Sequence, residues 1–125
     1  AEALSGTWSG EQFIDKIILL RGGKGFVIYK NGASMNVRVT VTRTDSQGNI
    51  TDVEVIQDGR ANASFFPQLP RETALEIAGS APPISWILHA SGSGMLTGTK
   101  KTLVADKNSP TGVAEGTEQI VWTKK

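Results

Sequence analysis

Cysteine is absent from this chain of 125 residues, and histidine occurs once, at position 89. The first absence excludes disulfides, thiol nucleophiles and zinc–thiolate centres. The second leaves a serine nucleophile a single imidazole to serve as its base, and gives a zinc or other transition-metal ion almost nothing to bind. An excess of either charge is also missing. With 13 basic and 12 acidic residues the formal net charge is +1, so nothing in the balance calls for nucleic acid or an anionic membrane. The longest basic runs are Lys100-Lys101 and Lys124-Lys125, which suit a solvated strand face and a tail. No apolar run approaches the ~18–20 residues of a helical membrane span. There is no Gly-x-Ser-x-Gly elbow, and Gly22, Gly23 and Gly25 do not make a dinucleotide-binding Gly-x-Gly-x-x-Gly.

What the chain does have is glycine, 14 residues of it, and alternation. The clearest stretch is Ile84 to Val104. Ile84, Trp86 and Leu88 share one face of a strand; Ser85, Ile87 and His89 share the other. If Trp86 faces inward, His89 faces solvent, which makes a surface histidine the favoured reading over a catalytic or haem-ligating one. Ser91-Gly92-Ser93-Gly94 supplies a corner and Met95 to Val104 returns, with Gly98 marking a bulge or a bend in mid-strand.

Similar hairpins follow one another along the chain. Leu4 to Gly10 is a first strand carrying Trp8. Residues 11–21 fit two descriptions. Ser9 and Gln12 resemble a capping box, with Phe13/Ile17 and Ile14/Ile18 at helical spacing. The continuous run Ile17-Ile18-Leu19-Leu20, followed by Gly22-Gly23-Lys24-Gly25 and Phe26-Val27-Ile28-Tyr29, favours a hairpin instead. Asn31-Gly32 signals a tight turn. Val37, Val39 and Val41 then alternate with Arg38, Thr40 and Thr42, and Ile50 to Ile56 forms the partner strand. Arg60 to Pro83 breaks the rhythm with four of the five prolines, and its segment 71–78 suits a short helix or a short strand. Such long connections frame a site or plug an end. A polar loop at 106–112 leads to a last strand, Thr117 to Thr123. The sum is a single all-β domain over residues 1–125, an antiparallel meander barrel of about eight or nine strands with at most one short helix.

Carboxylate pairs occur at Asp52/Glu54 and Glu115/Glu118; alternation puts Asp52 and Glu54 together on the solvent face rather than in a cleft, which makes an enzyme the lesser expectation. A binding site is the alternative: Trp8, Phe26 or Tyr29, Trp86 and Trp122 as apolar walls, with Arg38, Asn36 or Asp106 near the mouth.

Two patches carry a family resemblance. Gly6-Thr7-Trp8 resembles the first-strand Gly-x-Trp of calycin-type barrels, the lipocalins and avidins, and Trp86-Ile87-Leu88 followed by Thr102-Leu103-Val104-Ala105-Asp106 resembles the late hairpin of the avidin group. The resemblance implies a lipocalin/avidin-like barrel with Trp8 low in it, Trp86 on the pocket wall and Asp106 as a polar pocket residue. In place of the asparagine and Gly-Ser pair of avidins this chain has Ser9, Gly10, Glu11 and Gln12. Gly6 to Glu11 is similar also to the start of nitrobindin-type haem barrels, although no histidine stands near the C-terminus here.

The expectation is therefore a non-catalytic protein holding a small apolar or amphipathic ligand at Trp8, Phe26, Tyr29, Arg38, Trp86, Asp106 and Trp122, with no metal and no cofactor. Two alternatives stand beside it: an interaction or inhibitor module acting through residues 60–83, and a small barrel isomerase or cyclase. Assembly into a homo-oligomer stays open. A first residue Ala1 in place of Met is what signal cleavage leaves in a secreted or periplasmic protein, and any other trimming leaves the same end.

Overall fold

A computed structural model describes residues 2–90, 92 and 94–125. Eight antiparallel strands follow one another around a closed barrel in sequence order. They are β1 (Gly6–Ser9), β2 (Ile14–Leu19), β3 (Lys24–Tyr29), β4 (Ser34–Thr44), β5 (Ile50–Gln57), β6 (Ser85–Ala90), β7 (Met95–Ala105) and β8 (Val113–Lys124). The all-β meander is the expected architecture, at the lower of the two expected strand numbers. Residues 11–21 take the hairpin rather than the helix. A shift of register between Ile14 and Lys16 adds a residue to β2, which keeps Ile14, Ile17 and Leu19 all turned inward.

Most strands bury alternate residues over much of their length. Val27 and Tyr29, Met35 and Val37, Val53 and Val55, Trp86 and Leu88, and Ile120 and Trp122 meet in one apolar core. At roughly 25 cal/mol per Å2 of apolar surface, this shared burial is the main driving force for closure. Gly98 sits in β7 opposite Leu88 on one side and Ile120 on the other, and neither ladder slips there. Of the bulge or bend expected there, the bulge is absent. The glycine is needed because a Cβ at this point would overlap the Ile87 carbonyl oxygen. Of the glycine-rich corner that precedes β7, Ser91 and Ser93 lie outside the described residues.

The long connection between β5 and β6 contains a helix, α1 (Arg71–Ile77), so segment 71–78 takes the helical alternative. Its Ala74 and Ile77 are buried together with Phe65, Phe66 and Leu69. Tyr29 stacks on Phe65 with ring centroids 5.6 Å apart. The Asn31 side chain, in the β3–β4 turn, donates to the Ser64 carbonyl at 2.9 Å and ties the connection to the barrel rim. The connection thus closes one end of the barrel. The β1–β2, β3–β4 and β7–β8 turns lie at that same end, because strands alternate in direction. Among the described residues no helix is long and apolar enough to cross a membrane.

Closure between the first and last strands is brief. β8 pairs with β7 from Val113 to Thr123, whereas its pairing with β1 consists of Trp8 with Lys124 and Ser9 with Thr123. The four-residue β1 is too short to follow the twelve-residue β8. A seam opens beside the first part of β8, and the candidate site lies in it.

Candidate functional site

The site begins with a glycine. Gly10 follows β1 at φ 147°, a backbone setting that side chains rarely tolerate, and a Cβ on it would overlap the Val121 carbonyl oxygen. This close approach presses the β1–β2 turn against β8. The turn closes with Ile14 N–H donating to the Glu11 carbonyl at 3.2 Å, and it aims the Glu11 side chain into the barrel rather than into water.

Three donors meet that carboxylate. Oε2 accepts from Nε1 of Trp86 and from Nε1 of Trp122, both at 2.8 Å. Oε1 accepts from Lys100 Nζ at 2.7 Å. The Glu11 and Lys100 side chains are 6% and 10% exposed, so the ion pair is nearly dry. The ammonium also stands 5.3 Å from the Trp86 ring centroid, and the two indoles meet at 5.6 Å between centroids. A buried pair balances its loss of hydration only when its remaining hydrogen-bonding capacity is used. Both carboxylate oxygens are engaged here, by donors from β6, β7 and β8.

Next to this cluster a cleft of about 610 Å3 opens through the seam. Phe13, Ile14, Val104, Ile120 and Val121 give it apolar walls, and Pro67 and Gln68 of the long connection line it as well. Gln68 is held by donating to the Leu103 carbonyl at 2.8 Å. Lys100, Tyr29 and Thr102 also line it. Tyr29 Oη and Thr102 Oγ1 are both buried, and among the described residues neither has a hydrogen-bond partner. Burial first, and the nearby Glu11 charge second, push the Tyr29 phenol well above its ordinary value of 10.0, so it stays protonated and able to donate. Glu118, opposite Lys100 in the β7–β8 ladder, adds a carboxylate to the lining.

The residues expected from sequence fall into three groups. Trp86, Trp122 and Tyr29 converge on the Glu11 region. Trp8 is buried too, but its Nε1 donates to the Leu4 carbonyl at 2.9 Å, and it borders a second, open depression toward the other end, with Leu96 and Lys124. Phe26 and Arg38 point outward and line no interior. Alternation buries Gly25, Val27 and Tyr29 of β3 and leaves Phe26 37% exposed. Arg38 sits on the exposed face of β4 with Asn36, where it pairs with Asp58 at 3.2 Å. Asp106 is in the β7–β8 turn, outside the cleft lining, and spends Oδ1 on the Asn108 N–H at 2.9 Å. His89 is 57% exposed beside Asp52 at 3.3 Å.

Sequence reasoning missed Glu11, Lys100 and Thr102. It assigned Lys100-Lys101 to a solvated face, yet neighbours on a strand point to opposite faces. Lys101 takes the solvent side, pairing with Glu115 at 3.3 Å, and Lys100 points inward. Among the described residues no three His, Asp or Glu side chains are grouped to hold a metal ion.

A family model, TP_0183_C, described as "C-terminal", matches residues 1–125. No curated protein and no solved structure matches the chain. The chain therefore belongs to the TP_0183_C family, a match that makes no link to the calycins.

Proposed function

For this member of the TP_0183_C family we propose a non-catalytic binding role, in which a small amphipathic molecule enters the seam cleft beside Glu11. One observation carries the reading: two buried hydroxyls, on Tyr29 and Thr102, line a cleft of about 610 Å3 without a partner among the described residues. Leaving such a group unsatisfied costs about 1–3 kcal/mol. The volume falls within the ~300–1,000 Å3 of small-molecule sites, which pair apolar walls with a few convergent polar atoms. The barrel centre is a different matter, since Trp86, Trp122, Val27 and Val55 fill it. The ligand reading thus moves from the interior to the seam. A likeness to calycins enters at the same level, supported by the closed eight-stranded meander and by nothing finer.

Two observations weigh against the alternatives. The Glu11 carboxylate is engaged by three donors, whereas a general base must reach a substrate proton. Phe65 and Phe66, which an inhibitor loop would present to a partner, are buried on the inner side of the connection they belong to.

Native mass spectrometry of the protein from its own source, followed by unfolding, tests the reading. A small molecule released on unfolding is the expected result. A bare protein mass, combined with no thermal shift across a panel of amphiphiles, would sink it.

A further inference from the structure

We infer that the polar end of the ligand is a neutral oxygen acceptor of carbonyl type, held by Tyr29 Oη, Thr102 Oγ1 and the unused hydrogens of Lys100. The inference rests on the binding reading above and adds the chemical class.

The cleft offers donors. Tyr29 and Thr102 each bring an O–H with no acceptor among the described residues, and an ammonium has three N–H groups. One of these goes to Glu11 Oε1, which leaves two. Tyr29 and Thr102 are 2% and 8% exposed, so bulk water is not at hand to satisfy them. An sp2 oxygen with two lone pairs accepts from two or three such donors at once, and it brings no proton that needs an acceptor of its own.

Charge decides between a neutral and an ionic head. The charged residues of the lining are Glu11, Lys100 and Glu118, one positive and two negative, a net of −1. The positive charge is already matched by Glu11. A carboxylate or phosphate head would bring a third anion beside Glu11 and Glu118, with no free cation among the described lining residues to meet it. A quaternary ammonium would face Lys100 and two hydroxyl hydrogens. A neutral carbonyl satisfies the donors without burying an unmatched charge. The rest of the molecule is apolar, to match Phe13, Ile14, Ile120 and Val121.

The molecule supplies its own reporters. The indole N–H groups of Trp86 and Trp122 end on Glu11, next to the cleft, while that of Trp8 ends on Leu4. The full chain, labelled with 15N, is titrated with three probes of one chain length: methyl octanoate, octanoate and octyltrimethylammonium. The expected result is that the ester shifts the Trp86 and Trp122 indole signals and leaves that of Trp8 in place. It binds about tenfold or more tighter than either ion, and Tyr29→Phe and Thr102→Val each weaken it about three- to tenfold. Thr102→Ser, which keeps the hydroxyl, retains the affinity and guards against a mere folding defect. Octanoate or octyltrimethylammonium binding as well as the ester, or better, overturns the neutral class while the cleft reading survives. Ester affinity unchanged in both Tyr29→Phe and Thr102→Val means that the hydroxyls are idle or satisfied by a trapped water, and the inference fails. If none of the probes moves the Trp86 and Trp122 signals, the binding reading falls with it.

Discussion

Glu11→Ala is expected to be among the most damaging single substitutions in this protein. Among the described residues the carboxylate is the acceptor for two indole N–H groups and for a lysine that is 10% exposed. Removing it strands an ammonium beside the Trp86 ring. Breaking a buried ion pair from one side costs about 3–5 kcal/mol. The stranded indoles, each worth about 1–3 kcal/mol when orphaned, fall partly within that figure. A domain of this size has only about 5–15 kcal/mol in total. With a urea slope near 1.5 kcal/mol/M, the midpoint should drop by about 2–3 M. Equilibrium unfolding followed by tryptophan fluorescence reads this directly, since two of the three tryptophans touch Glu11. A double-mutant cycle sharpens the test. Glu11→Gln and Lys100→Met are each expected to destabilise, and together to lose less than the sum, with a coupling of at least about 1.5 kcal/mol. The reasoning is refuted if Glu11→Ala costs under about 1 kcal/mol, or if the coupling is zero within about 0.5 kcal/mol. Either result would mean that water reaches the carboxylate.

Other perturbations should behave differently. Tyr29→Phe removes a buried hydroxyl that has no partner among the described residues, so thermal stability should hold or rise by up to about 1 kcal/mol; a loss larger than that would reveal a partner for the phenol. His89→Ala removes an exposed pair with Asp52 and should change stability by less than about 0.5 kcal/mol, a placement that a larger loss in urea titration would contradict. Asp45 sits in the β4–β5 turn, where the backbone N–H of Asn49 and then that of Gln47 hold its carboxyl below the ordinary 3.8. A depressed folded value contributes stability above the unfolded value, and that contribution is lost as pH falls through the folded one. Asp45→Asn should therefore be less stable than the parent at neutral pH, with the gap closing in strong acid; a gap that persists there would assign the effect to something other than this charge.

The sequence made the barrel legible because its signal is local and repeated. Val37-Arg38-Val39-Thr40-Val41 and Trp86-Ile87-Leu88-His89 each reveal a two-sided strand, and Asn31-Gly32 reveals its turn. The same rule correctly put Trp86 inside and His89 outside. It applied equally to Phe26, whose neighbour Val27 is fully buried, but an aromatic side chain suggested a wall and outweighed the alternation. Glu11 was illegible for another reason. Its role depends on where a turn lands, and that was set by the approach of Gly10 to Val121, more than a hundred residues later. Short-range pattern carries no trace of that encounter. Lys100 lay between these cases. Alternation required either it or Lys101 to face inward, and only a partner such as Glu11 could make an inward lysine acceptable.

The contrast between two neighbouring groups of polar atoms bears on what the fold is for. Glu11 is satisfied at both oxygens by donors from three strands, at 2.7–2.8 Å. Tyr29 and Thr102, lining the cleft beside it, are left without partners among the described residues. A chain selected for stability alone has an easy remedy in phenylalanine and valine, which fit the same spaces and carry no unsatisfied hydroxyl. Keeping the hydroxyls is a cost to the folded state, and such costs collect where a protein binds or reacts. The closed Glu11 network gives the cleft a rigid floor, and the two idle hydroxyls give it something to offer. If Tyr29→Phe stabilises the protein and weakens the ester, the two effects share one cause, because the donor that the fold leaves idle is the donor that the ligand uses. Stabilisation with affinity unchanged would separate them and leave the hydroxyl without a function in binding.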